Sequence, residues 1–221
     1  MIGIIVPAHN EEDFLDDCIK SLIAASAHEE LAGEPVEILI MLDDCTDDSV
    51  SVAQSHSVLT HLCEYRNVGM TRAAGARLML ERGARWLAFT DADSVVPYAW
   101  LAEQMSLKAD AVCGIVQVSD WSEHPEQVRL RYDTLYRPVE DHRHIHGANL
   151  GVCAKAYQRA GGFKALPAHE DVHLVEDLQR IGARIAWTAR NSVVTSARKN
   201  YRCKEGFGDY LNSLAAPSLM S

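Results

Sequence analysis

Apolar runs of strand length alternate with helix-spaced patterns along residues 1–118, and no other feature restricts the fold as much. Residues 2–7 form an apolar strand stopped by Pro7. Asn10 then offers an N-cap, with Glu11, Glu12 and Asp13 in a first turn where carboxylates suit the helix dipole. Phe14, Leu15, Cys18, Ile19, Leu22 and Ile23 follow at helical spacing. Val36 to Leu42 is a second apolar run, closed by the acidic stretch 43–48 and a helix to about Gln54. A weaker strand falls near 58–63, and Asn67-Val-Gly69 introduces a helix from about Thr71 to Glu81, ended by Gly83. Arg85 to Thr90 is the next strand, Pro97 stands at a helix start where its missing N–H costs nothing, and Asp110 to Val118 is strand again. Strand-helix repeated four times predicts an α/β fold, a parallel sheet with helices on both faces.

After residue 119 the rhythm breaks. The spacing predicts an amphipathic helix over 123–137, an extended piece over 142–147, helices near 154–160 and 171–181, and strands over 183–188 and 191–195. No linker or repeat separates the halves. Residues 1–221 therefore read as one domain: a ligand-binding half (1–118), a half that completes the site (119–200) and a tail (201–221). For Phe207 to Leu214 three readings stay open: packing on the core, self-association as a homodimer, or peripheral contact with a membrane.

A chain of 221 residues with 48% apolar content can bury a full core. Its formal charge of −10 argues against a nucleic-acid partner. No stretch approaches the roughly 20 apolar residues of a membrane span, and the amino terminus lacks a signal-peptide pattern. The six cysteines contain no CxxC pair, which suggests free thiols in a reduced, cytoplasmic setting.

The sharpest chemical signal is Asp91-Ala92-Asp93 at the end of an apolar run. Side chains alternate along an extended chain, so both carboxylates would face one side at the carboxyl edge of the sheet, where α/β proteins bind ligands. Two hard oxygen donors suit Mg²⁺ or Mn²⁺ together with a substrate diphosphate. The plainer alternative is a solvated turn that caps the next helix.

Polar clusters close the other strands in order: Pro7-Ala8-His9-Asn10-Glu11-Glu12, the acids 43–48, and Asn67-Val-Gly69 with Arg72. Further on stand Gly147-Ala-Asn149-Leu-Gly151, Gly161-Gly-Phe163 and Glu170-Asp171. From residue 2 to about Arg198 this series resembles the family-2 glycosyltransferases. The resemblance implies a GT-A fold, a mostly parallel central sheet flanked by helices with an irregular acceptor-side C-terminal half. It also implies transfer of a hexosyl group from a UDP- or GDP-linked donor to an unidentified acceptor hydroxyl, with inversion and with Mn or Mg as divalent cofactor.

Carried over by position, the resemblance implies that Pro7, Ala8, Asn10 and Glu11 line the nucleotide pocket, and that Asp43 or Asp44 hydrogen-bonds the base, the spacing to Asp47 favouring Asp43. Asn67, Gly69 and Arg72 would bind the donor, Arg72 near its diphosphate in a first helical turn that already favours anions. Asp91, Ala92 and Asp93 match the DxD motif, with Asp93 and Asp91 as metal ligands, and Asp171 of the Glu170-Asp171 pair would be the catalytic base. His146, Gly147, Asn149 and Glu170 would form the sugar or acceptor pocket. The sequence departs from many relatives in lacking a late metal-binding histidine in Thr195-Ser-Ala-Arg198, leaving that position to water or to a residue of the tail.

Other features have two readings. His142, His144 and His146 alternate and would share a face, either as a zinc site or as solvent or acceptor surface. Trp121, Tyr132 and Tyr136 are a sugar platform or core. Glu176 and Asp177 read as structural. The rivals to a glycosyltransferase are a sugar nucleotidyltransferase, which would want a basic glycine-rich loop where His9-Asn10-Glu11-Glu12 stands, and a non-catalytic nucleotide-sugar binding module. A nicotinamide dehydrogenase would need GxGxxG at that same place.

Overall fold

The computed structural model describes residues 1–200 and 206–215, so Cys203 lies outside the described residues. In the first half, β1 (Ile2–Ala8), β2 (Val36–Asp43), β3 (Leu59–Cys63) and β4 (Trp86–Phe89) pair in parallel in the order β3-β2-β1-β4. Beyond β4 the sheet continues through strands of mixed origin. These are β5 (Ser94–Val95), β6 (Ala111–Val118), β7 (Leu150–Cys153) and β8 (Ile185–Thr195), and the full order is β3-β2-β1-β4-β7-β6-β8-β5. Strand β7 runs antiparallel to both neighbours, whereas β6 and β8 are parallel, with a register shift between Cys113 and Ile115. A strand from the second half thus separates β4 from β6, and local patterning cannot show this because it depends on which chain segment returns to the edge of β4.

Alternation of side chains divides the core. Ile2, Ile4 and Val6 of β1 pack with α1 (Leu15–Ser26) and α4 (Trp100–Ser106), through Leu15, Ile19, Leu22 and Trp100. Ile5, with Met41 of β2, faces α3 (Val68–Glu81), α6 (Ala154–Ala160) and α7 (Glu170–Arg180) on the other side. A third cluster joins α5 (Glu126–Leu135) to α8 (Phe207–Ser213), where Val128, Tyr132, Tyr136, Leu211 and Leu214 are buried together. Of the three readings for the tail, residues 207–214 therefore show packing on the core. The short helix α2 (Ser49–Gln54) follows the acidic loop.

Some expectations need correction. Asn10 is not a helix cap: it adopts φ 54°, and α1 begins only at Leu15. The stretches 183–188 and 191–195 are one continuous strand. Residues 142–146 belong to no strand and lead into a 3-10 turn at Gly147–Asn149. Among the described residues no helix is long and apolar enough to cross a membrane, and the five described cysteines are free thiols.

Candidate active site

The carboxyl ends of β1 and β2 are tied together by side chains that bond to backbone. Asn10 Oδ1 accepts from the N–H groups of Thr46 (2.6 Å) and Asp47 (3.3 Å). Asp47 accepts from Glu12 N–H (3.1 Å), while Glu12 accepts from Asp48 N–H (2.7 Å). The acids of the 43–48 loop are thus used largely to hold two loops at one spacing.

Asp43 is the extreme case. Its carboxylate is 5% exposed and accepts from Tyr65 N–H (2.6 Å), Arg66 N–H (2.9 Å), Asn67 N–H (3.3 Å) and the Thr71 hydroxyl (2.7 Å). It orders the loop between β3 and α3, and Asn67 then caps α3 by accepting from Met70 N–H (2.9 Å). Asp43 thus lines the cleft with its carboxylate already engaged in ordering the neighbouring loop. Asp44, at φ 53°, stands at the cleft with its carboxylate 2.6 Å from Arg66 Nε.

Arg72 is buried, 4% exposed, and its guanidinium bridges Glu170 and Asp91. Both of its terminal nitrogens are paired in this structure, so it positions these two acids from the wall of the cleft. Gly147 makes this possible, since a Cβ there would lie 2.4 Å from Arg72 Nη1. Gly69 does not line the cleft; it packs where a Cβ would meet Lys164 O at 2.5 Å.

Residues 91–93 form a turn after β4 rather than a continuation of the strand. The turn is not merely solvated. Asp93 is 19% exposed, and burial, with Asp91 beside it, pushes its carboxyl up to about 7 although Arg198 opposes the shift. A half-buried pair of hard carboxylates that lacks full counter-charge fits Mg²⁺ or Mn²⁺, which needs one or two such ligands plus substrate phosphates. Among the described residues no group of three or more His, Cys, Asp or Glu is arranged to hold a metal ion.

Across the cleft, Asp171 sits in the first turn of α7 after His169 at φ 60°. Gly147 N–H donates to Asp171 Oδ2 (2.7 Å), and Val172 N–H to Oδ1 (2.8 Å), which fixes the carboxylate in orientation while lone pairs remain on both oxygens. Burial raises the pKa of Glu170, with Arg72 opposing. Asp177, read as structural, is buried and ion-paired to Lys164 (2.5 Å) and Arg180.

The three histidines stack rather than converge: rings of His142 and His144 lie 5.3 Å apart, those of His144 and His146 6.2 Å, and Tyr136 stacks on His144 at 4.1 Å. Val116 N–H donates to the Tyr136 hydroxyl (3.0 Å), whose oxygen is 3.0 Å from His146 Nε2. Burial pushes His146 down to about 3, so this imidazole is neutral. Trp121 and Tyr132 are core partners, with Tyr132 stacked on Tyr136 at 4.9 Å. Asn149 requires a correction: it is 1% exposed, accepts from Trp100 Nε1 (2.9 Å) and donates to Ile115 O (2.8 Å) and Asn191 O (2.9 Å), so it braces strands and does not line a sugar pocket.

Pro7, Ala8, Asn10, Glu11, Asp43, Asp44, Asn67, Arg72, Asp91, Ala92, Asp93, His146, Gly147, Glu170 and Asp171 all line one cleft of about 1430 Å³. Sequence reasoning missed Thr71, Arg66 and Arg198. Arg198 donates to both oxygens of Glu11 (2.6 Å each) and its Nη2 is 3.4 Å from Asp93 Oδ2. Within 195–198 the cation Arg198, and not a histidine, stands at the acids. A search for any positive charge there would have found it.

Solved structures share this fold. S. aureus TarS 1–349 in complex with UDP-GlcNAc aligns with TM-score 0.67 at 12% identity, over 96% of this chain and 64% of that one. The mannosyltransferase PcManGT from Pyrobaculum calidifontis, in complex with GDP-Man and Mn²⁺, gives 0.65 at 19% identity over 90% and 57%. GalNAc-T7 with UDP, GalNAc and Mn²⁺ gives 0.66 at 15% identity over 92% and 44%. The chain spans less than two thirds of the length of each of these. No curated protein matches it significantly. The family model described as glycosyl transferase family 2 matches residues 3–163, well over half of the sequence. On that match, and with the GT-A sheet it shares with the solved glycosyltransferases, the chain belongs to glycosyl transferase family 2.

Proposed function

We propose that the protein transfers a sugar from a nucleoside diphosphate donor to an acceptor hydroxyl by a single displacement that inverts the anomeric centre. The observation that carries this reading is the opening of the Asp91–Asp93 turn and of Asp171 into one cleft that residues 7–11 and 43–44 also line. A divalent cation on Asp93 and Asp91 would neutralise charge on the departing nucleoside diphosphate. The neighbouring folds solved with UDP, UDP-GlcNAc or GDP-Man, two of them with Mn²⁺, support a uridine or guanosine donor and a divalent ion.

The chain's own residues supply the rest. Arg72 holds Asp91 at the cleft and Glu170 behind it, and Asp44 with Arg66 offers an acceptor and a donor at the base end. Asp171, held by Gly147 N–H, takes the proton of the acceptor hydroxyl as that oxygen attacks. The neutral His146 and the ring stack beside it shape the wall next to Gly147. The test is donor turnover with and without Mn²⁺ across UDP- and GDP-sugars. Binding and turnover of one sugar nucleotide, dependent on Asp171, supports the reading, and binding without turnover toward any acceptor or water overturns it.

A further inference from the structure

Arg198 makes contacts that neither the loop wiring nor the proposed chemistry uses. It follows β8 and reaches across the cleft to the end of β1, with Nη1 and Nη2 each 2.6 Å from an oxygen of Glu11. The guanidinium also lies over the ring of Phe14 at 4.9 Å, so its plane is fixed on two sides. From that seat Nη2 is 3.4 Å from Asp93 Oδ2. Its Nε is buried and has no hydrogen-bond partner in the described structure.

A planar guanidinium with five donors is matched to flat anions, and here only the two terminal nitrogens are satisfied. The fork is therefore incompletely used. Asp93, for its part, is a poorly hydrated carboxylate with Asp91 in the same turn and Glu11 across from it, and among the described residues Arg198 is the cation in contact with it. A positive charge at that distance takes up part of the attraction that an added cation would feel, and the two repel each other at short range.

We propose that Arg198 is a tethered counter-cation for Asp93 and Glu11, one that a divalent ion must displace from Asp93 to bind. The displaced fork, with Nε still unpaired, is then available to an anion such as a diphosphate oxygen. Arg198 is thus a positioning residue that sets the affinity for the ion and links its arrival to that of the substrate. This rests on the reading of Asp91 and Asp93 as a divalent-cation site.

The experiment is Mn²⁺ binding to the whole chain without nucleotide, read by electron paramagnetic resonance of free Mn²⁺, for the parent, Arg198→Gln and Arg198→Lys, each checked for folding by thermal unfolding. Arg198→Gln should bind Mn²⁺ about tenfold more tightly than the parent, while Arg198→Lys, which keeps the charge, should stay within about threefold. Equal or weaker binding in Arg198→Gln, with measurable binding in the parent, overturns the inference and leaves the metal reading intact. No binding to the parent or to either variant at millimolar Mn²⁺ overturns the metal reading itself, and the inference with it. Should Arg198→Gln not fold, Mg²⁺ titration of the ¹⁵N-labelled parent decides: the arginine Nε signal that Arg198→Lys removes must move with Mg²⁺, and a signal that stays in place overturns the proposal.

Discussion

The loops at the ends of β1 and β2 and the segment from Tyr136 to Ala148 contribute to the lining of one cleft, yet they are shaped in different ways. The first are held by carboxylates and an amide that accept from backbone N–H groups: Asn10 on Thr46 and Asp47, Asp43 on residues 65–67. The second is held by rings, Tyr132 on Tyr136, Tyr136 on His144, His144 on His142 and His146, backed by α8. Polar bonds to backbone fix a loop to within tenths of an ångström and suit a part that must meet one constant ligand. Ring stacks bury area with less directional demand, so this wall can change its side chains without losing its place.

The comparison breaks first at Asp171. Asp171→Asn should lower transfer by about 1000-fold while donor affinity, set by the loops of β1 and β2, stays within about twofold. Calorimetric titration beside a turnover assay measures both, and a parallel loss of binding would mean that the two sides are not separable. Next comes Asp43→Ala, which strands three backbone N–H groups and takes away one of the two acceptors of the Thr71 hydroxyl. It should cost about 3 kcal/mol in urea unfolding and abolish nucleotide binding together with it. Tyr136→Phe leaves Val116 N–H without its acceptor and should cost about 1.5 kcal/mol, with nucleotide affinity unchanged.

The smallest effect sharpens the ring-built wall. His146 titrates at about 3 in the folded chain, below its ordinary 6.5. Between those values the unfolded state binds the extra proton, so this contribution is whole above pH 6.5 and is lost as pH falls through the window. Parent and His146→Gln should differ in their loss of stability between pH 7 and pH 5.5 by about 1 kcal/mol, the variant losing less. Equal losses would place the acid sensitivity elsewhere, His142 being the neighbour whose pKa burial also lowers.

The sequence shows the parallel half and the cleft-lining acids because apolar strand runs and their terminal polar clusters are local patterns. It does not show that Asp43 already accepts four bonds, because spacing carries no information on what a carboxylate already bonds. Asn149 and Gly69 misled for a similar reason: small or amide residues in a motif serve packing and strand bracing as readily as ligand contact.

What the sequence by itself determined is the alternation that forces an α/β sheet and the placement of acids at its carboxyl edge, since both follow from neighbours a few residues apart. Only the tertiary structure decided that β7 enters between β4 and β6, that Arg72 turns inward to Asp91 and Glu170, and that Arg198 meets Glu11 and Asp93 across the cleft. Each of these joins segments far apart in the chain, and which of many possible charge partners meet is set by the path of the backbone through the whole core, not by the residues beside them.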